Sequence, residues 1–182
     1  MHYPLSLRAV GLVVGLYLVA VHLLAVFKAD AVRGFLARFP RWHAAGVALL
    51  TVDLVWSWYI AFVMDWGEFQ AWRAPVLLFL PVAYVFMIAL VHEFLAARAL
   101  GILLLLAAMP VLDAAFMQPP RSRLLLVVLA YVWVVLGLFW TSSPHLLRDH
   151  IQFFSAAPRR WTLGAWAGVL YGVLMLVFAM RW

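Results

Sequence analysis

The chain has 182 residues, of which 69% are hydrophobic and only 11% charged, and its mean hydropathy is +1.06. Soluble domains carry about 25% charged residues, so this composition excludes an ordinary water-soluble fold and makes bilayer the natural solvent. The net charge of +6 reads as arginine in short loops facing anionic headgroups, not as a nucleic-acid surface, and the absence of cysteine removes disulfides, iron–sulfur clusters, covalent haem attachment and thiol catalysis.

A membrane crossing takes about 20 mainly apolar residues. The first such stretch runs from Leu7 to Phe27 and holds Gly11 and Gly15. It lacks a charged leader and a small-residue cleavage site, so a retained helix is expected. The second runs from Ala44 to Met64 and the third from Pro75 to Leu95. The fourth, Ala97 to Phe116, follows almost at once, with only Glu93 and Arg98 interrupting the apolar run. A tight hairpin around Leu95–Ala97 gives six spans; one long tilted or re-entrant segment gives five. The run from Pro75 to Phe116 is about twice what one crossing needs, which favours the hairpin. The fifth span is Leu124 to Trp140 and the sixth Trp161 to Met180. The predicted fold is therefore an all-α, polytopic transmembrane bundle forming one integral membrane domain.

Two polar segments read as short interfacial helices. In 31–39, Val32, Phe35, Leu36 and Phe39 share one face, Arg33 and Arg38 leave it, and Pro40 ends it. The second opens at Ser143-Pro144, a capping pair. It carries His145, Arg148, Asp149 and Gln152 as a polar stripe at i, i+3, i+4 and i+7, with Leu146, Leu147, Ile151 and Phe154 facing away. Eight Lys and Arg fall in the first, third and fifth loops and five on the other side. That excess predicts a cytoplasmic location for those loops and for both interfacial helices, with both termini outside, in a multi-pass cell membrane protein.

Ionisable side chains within spans are rare and usually face the bundle interior. The candidates are Asp53, His22, His92, Glu93 and Asp113. Asp53 is the sharpest: a carboxylate at mid-bilayer costs roughly 2.5–3.5 kcal/mol, so it must be protonated, paired or beside water. Thr51 and Ser57 are its nearest polar neighbours in sequence. It reads either as a proton or cation site or as a packing hydrogen bond. Asp113 follows Met109-Pro110, a kink beside an acid. His22 and His92 lie toward the cytoplasmic end; if they converge they could hold haem b or a divalent metal.

Gly164, Gly168 and Gly172 in the sixth span form a repeat of small residues that lets a neighbouring backbone approach. Gly11 and Gly15 are the expected partner face, within the chain or across a homo-oligomer, and Ala165 is expected off that face. No GxSxG, HExxH or P-loop sequence is present, so an enzyme is the less expected reading, and the polar surface around His145, Arg148, Asp149 and His150 is where one would act. Three functions fit: ion, proton or small-solute transport or an anchoring subunit among other membrane subunits; a haem- or metal-binding redox subunit; and a lipid-active enzyme at the cytoplasmic interface. Membrane lipids are the expected partners, and nucleic acid is not.

Overall fold

A computed structural model describes residues 5–91 and 93–182. Among these residues the secondary structure is helical, with eight α-helices: α1 (Leu7–Phe27), α2 (Ala29–Arg38), α3 (His43–Val63), α4 (Arg73–Leu90), α5 (Leu95–Ala115), α6 (Leu124–Ser142), α7 (His145–Ser155) and α8 (Pro158–Ala179). Six are long and apolar enough to cross a membrane, α1, α3, α4, α5, α6 and α8. At about 1.5 Å per residue, a helix of this length matches the ~30 Å hydrocarbon layer. The chain is a six-span helical bundle with α2 and α7 as short helices at one end.

The ends follow local chemistry. Ser6 caps α1, its hydroxyl accepting from the Ala9 amide at 3.2 Å. Pro40 closes α2 through a 3-10 turn over Phe39–Arg41, because proline has no amide hydrogen with which to continue the helix. Pro158 opens α8. The start of α7 departs from the expected cap: the helix begins at His145, Pro144 occupies the capping position, and no side chain caps it. The Ser143 backbone carbonyl instead accepts from the Leu146 amide at 3.0 Å.

Spans three and four are separate crossings, but the reversal lies earlier than expected. α4 ends at Leu90 and α5 starts at Leu95, so the connection centres on 91–94 instead of Leu95–Ala97. Phe94 makes the turn in the left-handed region, at φ 56°. Arg98 therefore sits in the first turn of α5 and not in a loop, and it donates to the Thr141 carbonyl at the end of α6 at 3.0 Å.

Helix α5 is the hub. It packs most extensively on α6, then on α3, and touches α1, while α1 and α8 form the other extensive seam. Its buried face is made of small residues, including Ala96, Ala97, Ala99, Gly101, Ala108, Ala114 and Ala115, so neighbouring backbones come close without leaving voids. One core joins Leu7, Val10, Val14 and Leu18 of α1 to Val111 of α5, Leu126 and Ala130 of α6 and Met175 of α8. Helix α4 is peripheral and buries no residue. It is held to α3 by the Tyr84 hydroxyl donating to Thr51 Oγ1 at 2.8 Å and by Trp58 Nε1 donating to the Leu77 carbonyl at 3.1 Å.

Candidate functional site

Asp53 occupies the middle of α3, one turn beyond Leu50, which packs against Leu95 and Ala99 of α5. At 2% exposure it is the one buried polar or charged residue among those described. Neither carboxyl oxygen has a hydrogen-bond partner. Thr51 does not supply one: its hydroxyl donates to the Val47 carbonyl at 2.8 Å and accepts from Tyr84 on the α4 side. Most buried polar groups find a partner, so an unbonded carboxyl in the α3–α5 seam is the most unusual polar feature of the bundle.

The other ionisable candidates do not gather around it. The His22 ring lies in the α1–α8 seam, with Nδ1 2.8 Å from the Leu18 carbonyl and its face against Gly168. Asp113 belongs to the far half of α5 and lines an open groove of about 450 Å³ with Met109, Phe116 of the following turn, and Val134 of α6. Glu93 is exposed in the α4–α5 connection and not buried in a span. His92 lies outside the described residues.

The haem or metal pairing of His22 with His92 falls partly outside the described residues, because His92 is not among them. α1 packs mainly on α8, and α4 packs on α3. The α1–α8 seam is closed by backbone: a Cβ at Gly15 would lie 3.2 Å from the Gly172 carbonyl oxygen, and one at Gly172 would lie 3.0 Å from that of Gly15. No group of three or more His, Asp or Glu side chains with metal-binding geometry occurs among the described residues.

The glycines divide by contact. Gly11 faces Ala179 and Trp182, Gly15 faces Leu176 and Gly172, Gly168 faces His22, and Gly164 faces Phe154 of α7. Ala165 is not off the packed face: it is buried together with Val169, Gly172, Met175 and Ala179, so the inward stripe of α8 is rotated from the one the glycines alone suggest. Three further close approaches were not singled out in the sequence. Gly46 abuts the start of α5, and Gly101 and Gly137 face each other across α5 and α6. Each of these is a single glycine without a repeat, which is why spacing did not reveal it.

The polar stripe of α7 also divides. Arg148 and Gln152 turn toward α2, where they line a cleft of about 460 Å³ together with Arg33 and Arg41. Asp149 pairs with Arg148 at 2.8 Å. His145 is exposed, and His150 accepts from Trp140 Nε1 at 3.2 Å through its Nδ1. Family models, curated proteins and solved structures were compared with this chain, and none matches it.

Proposed function

We propose that this multi-pass membrane protein handles protons or a small cation through Asp53. The observation that supports the reading is a carboxyl at the centre of a spanning helix, 2% exposed, with both oxygens unbonded. A dry, unsatisfied polar group costs free energy that a hydrophobic residue would not. A packing role would be expected to give the group a bonded partner across the seam, as Thr51 has in Tyr84. A carboxyl that must take up and release its charge needs the opposite, since permanent partners would hold it in one state. Ionisable residues inside a membrane bundle are rare and mark ion pathways and proton relays.

In this reading Asp53 takes up a proton or cation when the α3–α5 seam admits water and is neutral when the seam is dry. The small residues of α5 and the peripheral setting of α4 leave α3 free of heavy interlocking on its α4 side. Purified protein in liposomes loaded with a pH-sensitive dye should dissipate an imposed proton gradient under a valinomycin-clamped potential. Asp53→Asn keeps shape and hydrogen-bonding capacity but cannot titrate; it should elute normally on size exclusion and bring flux down to that of empty liposomes. Wild-type flux from Asp53→Asn would refute the assignment.

A further inference from the structure

We propose that the cleft between α2 and α7 is a binding site for an amphiphile with a phosphomonoester headgroup. Three arginines line it from three elements: Arg33 of α2, Arg41 of the turn after α2, and Arg148 of α7. Two donors at its wall have no acceptor, since Arg33 Nε and Ser155 Oγ are both buried and unbonded. Guanidinium and hydroxyl donors left open together call for an oxygen-rich anion, which arginine binds in bidentate fashion.

Few acids compete for these donors. Asp149 holds Arg148 at 2.8 Å. Asp30 reaches Arg33 only at 3.9 Å and is fully exposed, while the Arg33 side chain is 26% exposed. Three cations against two acids at the edge leave positive charge in the cleft. A phosphomonoester presents three free oxygens where a phosphodiester offers two, so it can engage donors from more of the surrounding arginines at once.

The amphiphile part rests on the remaining wall and the surroundings. Leu36, Pro40 and Ile151 supply apolar lining beside the arginines. Phe35, Trp42, Phe153 and Phe154 are exposed around the same end of the bundle, the placement of aromatic side chains at the headgroup level of a bilayer. Arg33 is itself held over the Trp161 ring at 4.9 Å, which fixes one guanidinium before any ligand arrives. The site shares no residue with Asp53.

The test is native mass spectrometry of the intact protein in detergent with added phosphatidic acid, phosphatidylcholine or inorganic phosphate. Phosphatidic acid should be retained about tenfold better than phosphatidylcholine, the scale of one charge-assisted contact. The single variant R41Q should weaken that preference, the double variant R41Q/R148Q should remove it, and Ser155→Ala should weaken it. Arg38→Gln deletes one charge, as R41Q does, at a nearby residue outside the cleft whose Nε donates to the Gly34 carbonyl, and it should leave the preference intact. Equal retention of the two lipids would overturn the proposal. So would equal loss in R38Q and in R41Q, which would mean non-specific charge. Binding of inorganic phosphate without phosphatidic acid would place a soluble anion there and overturn the amphiphile assignment.

Discussion

The α5–α6 seam makes a quantitative prediction. A methyl group at Gly101 would stand 2.8 Å from the Gly137 carbonyl oxygen, 2.9 Å from the Thr141 amide nitrogen and 2.5 Å from the Thr141 hydroxyl. Ordinary contact begins at 3.4 Å, so against the Gly137 oxygen the helices must part by about 0.6 Å, and backbone cannot swing aside as a side-chain tip can. Overpacking of this kind costs ~1–3 kcal/mol, and the better helix propensity of alanine returns up to ~1 kcal/mol. Gly101→Ala should therefore destabilise by about 1–2 kcal/mol, a five- to thirtyfold change in the folding equilibrium. Unfolding by SDS in mixed micelles, followed by circular dichroism, measures it. Gly34→Ala is the control: its methyl would meet only Arg38 Nη2, at 3.8 Å, so it should be neutral or slightly stabilising. Gly137→Ala strains the same seam, with its methyl 2.7 Å from the Gly101 carbonyl oxygen. The double variant should cost less than the sum of the singles, because helices already parted by one methyl admit the second more easily. A Gly101→Ala variant as stable as Gly34→Ala, or strictly additive singles, would refute the close approach.

Further expectations follow for the rest of the bundle. Gly168→Leu places its side chain where the His22 ring lies and should lower the SDS midpoint, while Ala167→Leu, at an exposed neighbour, should not; equal effects would mean that the face of α8 is misassigned. The chain has no native cysteine, so single-cysteine labelling is clean. On the charge bias of the loops, Ala31→Cys should react with an impermeant maleimide only after lysis and Glu68→Cys in intact cells; the opposite pattern would invert the bundle.

Hydropathy located the spanning helices well because burial in lipid is a property of each segment alone. The number of spans and the ends of α1 came from the run of apolar residues and from the polar residues that stop it. The α4–α5 turn was misplaced because Arg98 looked like a loop residue. In the fold its guanidinium reaches the Thr141 carbonyl 43 residues away, a partner no local pattern indicates. Helix pairing was not legible for a similar reason. Leu-rich faces are interchangeable, and the seams are set by where backbone comes close, as at Gly46, Gly101 and Gly137. Asp53 stood out in the sequence by depth alone; that it is buried with both oxygens unbonded depends on the packing of the bundle, which hydropathy does not give. The cleft was still less visible, since Arg33 read as a residue leaving the apolar face of α2, whereas in the fold Phe35 is exposed and Arg33 lines the cleft.

The arginines show how one sequence feature carries two kinds of information. Counted by loop, they weigh only on orientation. In the fold several are taken up locally: Arg98 by a helix carbonyl, Arg38 by Gly34, and Arg160 over the Phe153 ring at 4.4 Å. Carbonyls and rings satisfy a guanidinium without neutralising it, so this end of the bundle keeps its charge while fixing its side chains. On the proposed reading of the α2–α7 cleft, that combination would draw anionic headgroups toward the surface. The Asp53 seam is built the other way, from small apolar residues around one acid with no fixed counter-charge among its hydrogen-bond partners. The two sites therefore make separable demands. Asp53→Asn should abolish proton flux without altering phosphatidic acid retention, and R41Q/R148Q should remove retention while Asp53 still titrates. If Asp53→Asn also lost the lipid, the seam and the cleft would have to move together, and α5, which touches both α3 and the turn after α2, is the element that would couple them.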